Sequence, residues 1–305
     1  MADLHARRVT VEVPASSANL GVGYDVLALA LDLHLRVTVE IVDSAENSLA
    51  VEGEGADRLR LDDSNRFLSG LWRGLLELGA KWPGAFAITM ANEIPLGRGL
   101  GSSAAATVAG LVAAGALAGA PLDPERVLAL ASEVEGHPDN AAAALHGGFV
   151  VVAGGRVVRY PVPAGLRAVL LIPERELATD AMRAVLPPTI AHADAVHNLG
   201  RGALLVSAFA TGDLALLRAM NDDRLHEPYR ATAYPELSAL LAAARDAGAL
   251  GAALSGAGSS VIALCRDDSS VTSVAGALGA AARMLGLAGT ARTLLPADAG
   301  ARVVV

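Results

Sequence analysis

The sequence predicts an α+β protein of two domains, on three observations. Its 305 residues suffice for two units at the ~100–200 residues usual for a domain. Strand-like and helix-like stretches interleave without the regular βαβ alternation of a doubly wound sheet, which points to two α+β layers. Pro161 and Pro163 punctuate the middle of the chain, so the expected units are 1–160 and 161–305. No internal repeat and no low-complexity linker is present.

The elements follow in order. Val9–Val13 alternates and reads as a first strand. Leu33, Leu35, Val37, Val39 and Ile41 alternate with His34, Arg36, Thr38 and Glu40, the period of two that marks a half-buried strand. Phe67, Leu68, Leu71, Trp72, Leu75 and Leu76 recur at helical spacing. Phe86, Ile88 and Met90 alternate again, and the chain then enters a Gly-rich turn over Glu93–Ser103 before an apolar helix from Ala104. Asp123-Pro124-Glu125 is a helix start, with a capping side chain, Pro at the first position and an acid in the first turn. That helix should reach about Glu135, where Gly136 and Pro138 stop it, and Gly147-Gly148 should turn the chain into a strand at Phe149–Val152. Beyond the prolines, Ala168–Ile172, Gly251–Leu254, Ser260–Cys265 and Gly289–Leu295 read as strands. Thr179–Leu186, Asp194–Thr211, Pro235–Ala247 and Ser269–Leu285 read as helices.

Composition narrows the function classes. Hydrophobic residues make up 53% and charged residues 18%, ample for a core. With 3% aromatic, that core must rest on Ala, Leu and Val. The net charge of −8 and the lack of basic runs argue against a nucleic-acid or anionic-membrane partner. An anionic ligand would therefore need a local cradle. The single cysteine, Cys265, excludes an intrachain disulfide and a thiolate metal cluster, and it is expected to be buried in its strand. Met1–Val13 carries charges and lacks the apolar run of a secretory signal. Ala104–Ala120 is uncharged but rich in Gly and Ala, and a buried helix is expected rather than a membrane span. The expected setting is soluble and cytoplasmic.

Four segments carry the chemistry. The strongest runs Pro95-Leu96-Gly97-Arg98-Gly99-Leu100-Gly101-Ser102-Ser103-Ala104-Ala105, between a strand and a helix. Its glycines let the backbone approach a ligand and turn N–H groups toward it. The helix that follows offers the positive end of its dipole, and Ser102 and Ser103 add hydroxyls at the helix mouth. Together these suit a triphosphate. Without Gly-Lys-Ser/Thr it is not a Walker A loop, and its glycine spacing is not a dinucleotide fingerprint. The second segment, Pro14–Asp25, is small, polar and Gly-bearing. The third, Glu133-Val134-Glu135-Gly136-His137-Pro138-Asp139-Asn140-Ala141, gathers carboxylates, a His and an Asn around a helix break. Glu133 or Glu135 could hold Mg²⁺ through oxygen, as hard cations prefer. The fourth, Leu254–Ser260, is a second backbone nest.

In this order the four segments resemble the GHMP kinase superfamily. Within it, PASSANLGVGYDVLALAL, EGHPDNAAAALHGGF and LHEPYR (Leu225–Arg230) are similar to the homoserine kinase branch rather than the galactose or mevalonate branches. The resemblance implies a ribosomal-S5-like N-terminal domain with a left-handed crossover and a ferredoxin-like C-terminal domain. It implies ATP at their junction, with phosphates on Pro95–Ala105 and adenine near Asn65. It assigns Mg²⁺ to Glu133, with Glu135 as second choice, and places the Ser102 hydroxyl beside the metal. Arg183 and Arg230 would grip an amino-acid carboxylate, with Thr179 one helical turn before Arg183. Asn19, Asp25, His137, Asp139 and Asn140 would meet the amino and hydroxyl ends. The implied acceptor is L-homoserine, held in line by Asp25 and Asn140, with Asp139 as a candidate base. A homodimer is also implied. One departure stands out: Ser259 occupies a position where the family usually carries Pro, yet Gly256 and Gly258 are present and the turn is expected to survive. Another branch of the superfamily, a non-catalytic sensor and a structural subunit are the competing readings. The two arginines disfavour a sugar acceptor, and the intact loop serines and acids disfavour a sensor.

Overall fold

A computed structural model describes residues 4–81 and 84–304. The first half builds β1 (Arg8–Ala18), β2 (Leu27–Val42), β3 (Ser48–Gly53), α1 (Arg66–Glu77), β4 (Ala85–Asn92), α2 (Ser102–Leu117), α3 (Pro124–Glu135), α4 (Asp139–His146), β5 (Phe149–Ala153) and β6 (Arg156–Tyr160). The second builds β7 (Arg167–Pro173), α5 (Thr179–Ala184), α6 (His192–Thr211), a 3₁₀ turn (Leu214–Asn221), α7 (Glu227–Arg230), α8 (Leu237–Asp246), β8 (Gly251–Leu254), β9 (Val261–Cys265), α9 (Asp268–Met284), β10 (Gly289–Leu294) and β11 (Arg302–Val304).

The larger sheet runs β11-β1-β2-β4-β3, with β5 on β2 and β6 on β5. The alternation along β2 works as its sequence requires: Leu33, Leu35, Val37 and Val39 are buried while Arg36 and Glu40 are exposed. Its first residues, Leu27–Leu31, are buried on both sides. α2 packs against α1 and β1. It is buried around most of its circumference, which its uncharged, Ala-rich sequence permits. Among the described residues no helix is long and apolar enough to cross a membrane. The smaller sheet has the order β10-β7-β9-β8, all antiparallel. With α8 and α9 it forms the βαββαβ arrangement of ferredoxin-like folds. Cys265 is buried in β9.

Three features differ from the sequence reading. α4 follows Pro138 directly, where only a helix break was expected. Its first turn is Asp139-Asn140-Ala141, and its carbonyl partner Pro138 accepts from the Ala142 N–H. β3 and β6 are short and mostly exposed, so their few apolar residues, such as Leu49 and Val51, do not stand out as strands. β11 leaves the second half and pairs with β1, Val11 opposite Val303, so the end of the chain completes the first sheet.

Candidate active site

The Pro95–Ala105 loop joins β4 to α2. Gly97, Gly99 and Gly101 all take positive φ, which side chains resist. Space reinforces conformation at two of them. A Cβ on Gly99 would lie 2.1 Å from the Ser255 carbonyl oxygen, and one on Gly101 would lie 2.1 Å from Ser16 Oγ. The loop is thus sandwiched between β1 and the second nest. Its carbonyls point into that sandwich: Leu100 O accepts from the Ser16 N–H at 3.1 Å, Arg98 O from the Ser260 N–H at 3.1 Å, and Gly99 O from Ser255 Oγ at 2.8 Å. The N–H groups from Gly97 through Ala104 have no protein acceptor among the described residues. The residues that carry them line a cavity of about 120 Å³ at the start of α2, a setting that can receive anionic oxygens. The second nest survives the Pro-to-Ser departure: Gly256 and Gly258 both take positive φ, and Ser259 Oγ donates to the Arg175 carbonyl.

Arg98 lies in this loop and lines the cavity, and its side chain is held by neighbours. Its Nε donates to Pro173 O at 2.7 Å and its Nη1 to Leu96 O at 2.7 Å, and it pairs with Glu176 at 2.8 Å. It fastens the loop to β7. A second cavity of about 210 Å³ adjoins the first through Gly97, Ser102 and Ser103, and Asn65 lines it with Leu59, Met90 and Leu96. The Asn65 side chain is buried and occupied: its Oδ1 caps α1 by accepting from the Leu68 N–H at 3.2 Å, and its Nδ2 donates to Arg60 O at 2.8 Å. It shapes that cavity rather than offering a free amide.

Glu133, to which the resemblance assigns Mg²⁺, is not among the residues that line this cavity. Glu133 pairs with Arg73 at 3.0 Å, and its side chain is 55% exposed. Glu135 lines the cavity instead; its Oε1 accepts from Ser103 Oγ at 3.0 Å and Thr107 Oγ1 at 2.8 Å. Two positions along a helix rotate a side chain by ~200°, so Glu133 and Glu135 face opposite ways.

The same cavity holds the other predicted residues: Asn19, Asp25, His137, Asp139, Asn140, Thr179, Arg183 and Arg230. Asn19 and Asp25 sit at positive φ on the segment after β1. Asn19 anchors that segment: its Oδ1 accepts from the Asp25 N–H at 3.0 Å and its Nδ2 donates to Gly256 O at 2.9 Å. Asp25 and Arg183 meet in a two-pronged ion pair at 2.7 and 2.9 Å, and Arg183 Nη1 also donates to Tyr24 OH at 2.7 Å. The bond to Asp25 holds the Arg183 pKa above its ordinary value. Thr179, exposed, opens α5 one turn ahead of Arg183. Arg230 is 1% exposed; burial, with the nearby Arg183 charge, lowers its pKa from the ordinary value.

His137, Asp139 and Asn140 form a chain at the start of α4. His137 Nδ1 lies 2.8 Å from Asp139 Oδ1, which also accepts from the Asn140 N–H at 2.8 Å. Asn140 Oδ1 accepts from Ser16 Oγ at 2.8 Å. Burial works against a charged His137, but the hydrogen bond and charge of Asp139 outweigh it, and its pKa is raised. Sequence reasoning missed three contributors. Tyr24 lay inside the segment already singled out, unassigned. Ser16 reads as a small loop residue until Asn140 is brought to it, 124 positions away. His226 lay in the LHEPYR stretch without a role.

Comparisons with known proteins place the chain in a family. The family models for the GHMP kinases N terminal domain and the GHMP kinases C terminal match residues 66–148 and 205–283. A homoserine kinase of Deinococcus radiodurans is 45% identical over 253 residues, 82% of this chain and 81% of the relative. One of Moorella thermoacetica is 41% identical, covering 80% of this chain and 83% of the relative. The crystal structure of homoserine kinase from Cytophaga hutchinsonii superposes with a TM-score of 0.88 at 32% identity, over 98% of both chains. A mevalonate kinase of L. major, at 18% identity and a TM-score of 0.72 over 97% of this chain and 99% of its own, shares the fold. The chain therefore belongs to the GHMP kinase family, in its homoserine kinase branch.

Proposed function

We propose that this chain transfers the γ-phosphoryl of ATP to the side-chain hydroxyl of L-homoserine, forming O-phospho-L-homoserine for threonine biosynthesis. One observation carries the reading: a single cavity joins a nest of unpartnered N–H groups to an Asp25–Arg183 pair and the buried Arg230. The nest suits phosphates. The charged groups match a zwitterion, since guanidinium binds carboxylate through its planar fork and Asp25 attracts an ammonium. A neutral sugar would leave Arg230, which has no carboxylate partner of its own among the described residues, without an anionic counterpart.

Phosphoryl transfer depends on positioning and charge neutralisation more than on covalent help. The N–H groups of Gly97–Ala104 and the start of α2 stabilise charge on the leaving diphosphate. Asp25 and Asn140 hold the acceptor hydroxyl in line, while Arg183 and Arg230 grip the carboxylate beside Thr179. Asn19 sets the Asp25 backbone. Asp139, oriented by His137 and the Asn140 N–H, is the candidate to take the hydroxyl proton. The residues also fit a Mg²⁺ ion: Glu135 and Ser102 are hard oxygen donors beside the nest, and Mg²⁺ needs only one or two carboxylates when phosphates complete its shell. When bound, such an ion would neutralise the β- and γ-phosphate charge. Adenine belongs in the adjoining cavity bordered by Asn65. The units 1–160 and 161–305 contribute to the cavity jointly, and a cytoplasmic homodimer completes the reading.

The test is ADP release from Mg-ATP with L-homoserine, L-serine, L-threonine, mevalonate, shikimate and galactose. Homoserine-dependent turnover that collapses in Arg230→Ala establishes acceptor and clamp. Turnover only with mevalonate, shikimate or a sugar overturns the acceptor.

A further inference from the structure

Arg230 is an unusual tool for a binding site, because it is almost wholly buried and must still present one edge to a ligand. A buried guanidinium needs acceptors for its other donors. Its Nε donates to Met182 O at 3.2 Å, and one Nη1 hydrogen goes to Gly256 O at 2.8 Å. The second Nη1 hydrogen faces His226 Nδ1 at 3.3 Å. Only Nη2 then remains for the cavity, having no protein acceptor among the described residues.

His226 can accept that bond in one tautomer alone. Its Nε2 lies 2.7 Å from the Gly21 carbonyl oxygen, an acceptor, so the ring proton belongs on Nε2 and the Nδ1 lone pair faces Arg230. Asp223, the nearest acid, stands 3.7 Å from Nε2, too far to compete. It serves the local backbone instead, accepting from the N–H groups of Leu225, His226 and Glu227 and from Asn198 Nδ2. Tyr24 closes the arrangement. Its ring lies 5.2 Å from the His226 ring and carries the Arg230 and Arg183 guanidinium carbons at 5.4 and 5.5 Å. The imidazole thus ties α7, which carries Arg230, to the Gly21 segment that leads to Asp25.

We propose that His226 is a positioning residue for the acceptor: its unprotonated Nδ1 takes one hydrogen of Arg230 and so aims the remaining Nη2 edge at the acceptor carboxylate. The inference rests on the homoserine kinase reading above.

Asparagine and glutamine separate the two ring nitrogens. In His226→Asn the amide oxygen stands near the Nδ1 position and keeps an acceptor for Arg230. In His226→Gln the amide reaches toward Gly21, and Arg230 loses its partner. Steady-state kinetics with homoserine and ATP varied separately should show His226→Gln raising the homoserine KM by about ten- to a hundredfold, the span of a hydrogen bond to a charged group. The ATP KM and kcat should stay within about threefold, and His226→Asn should recover most of the homoserine KM. Equal rises in both variants, no rise in either, or an equal rise in the ATP KM would each reduce His226 to a packing residue and overturn the proposal. A second measurement needs no variant: ¹⁵N NMR of the wild-type imidazole should report the neutral, Nε2-protonated form near pH 7, and an Nδ1-bound proton would refute the geometry. Absence of homoserine-dependent turnover in the wild type is a separate result, which removes the underlying reading itself.

Discussion

Replacing Glu227 by Gln isolates one buried proton. Glu227 begins α7, is 8% exposed, and accepts from the Leu254 N–H at 2.7 Å through Oε1. Burial pushes its carboxyl from 4.5 up to about 8. Between those values the folded protein keeps a proton that the unfolded chain has released. The stability tied to the neutral acid is complete below about pH 4.5, is lost as pH rises, and falls no further above about 8. At ~1.4 kcal/mol per pH unit, that interval amounts to ~5 kcal/mol. A Gln at this position keeps a carbonyl for Leu254 and has no proton to lose. The stability of Glu227→Gln relative to wild type should therefore climb by ~1.4 kcal/mol per unit from about pH 5 to 8 and then level off. Its neighbour His226 works in the opposite direction. Burial pushes it from 6.5 down to about 4, so its contribution is lost as pH falls through that interval. Both proteins share it, and the difference between them removes it. Urea unfolding followed by circular dichroism at pH 5.5, 6.5, 7.5 and 8.5 measures the effect. A stability difference that does not vary with pH would refute the argument, and would mean that the Glu227 carboxylate ionises freely in the folded state.

Three further outcomes are expected. Glu135→Gln should lower kcat about 10²–10³-fold, the usual cost of removing one preorganised electrostatic group; Glu133→Gln should leave turnover within about twofold, since it breaks only the exposed pair with Arg73, and a reversed ranking in ADP-release assays would reinstate Glu133. Asp139→Asn should reduce kcat by about 10²-fold or more if the carboxylate accepts the hydroxyl proton, and a loss of only about tenfold in single-turnover measurements would assign the step to alignment. Gly101→Ala forces a side chain to φ +71 with its methyl 2.1 Å from Ser16 Oγ; ATP titration should show a raised KM and thermal melting a cost of ~1–3 kcal/mol, whereas an unchanged ATP KM would sever this glycine from nucleotide binding.

Local chemistry made much of the molecule legible in advance. Asp123 caps α3 by accepting from the Glu125 N–H at 2.8 Å, and β2 follows its alternation because burial of one face enforces a period of two. The Gly97-Gly99-Gly101 spacing announced a backbone nest, since few other roles require three positive φ values in a row of alternate residues. Elements too short and too exposed for a clear apolar pattern stayed hidden. β3 and β6 expose most of their residues, and α4 begins one residue after a proline that reads as a stop.

What the sequence determined by itself was the kind of residue on offer: a Gly-rich loop suited to anionic oxygens, with acids and hydroxyls near it, while Arg183 and Arg230 were singled out only by the family resemblance. Tertiary structure decided which members of each set face the site. The choice of Glu135 over Glu133 follows from the rotation of α3 between Arg73 on one side and Ser103 on the other. The Asp25–Arg183 pair joins residues 158 positions apart, and the Arg230–His226–Gly21 chain crosses from α7 to the segment after β1. Residue type is local and can be read from sequence. Direction depends on how segments distant in the chain meet, and no local pattern encodes that meeting.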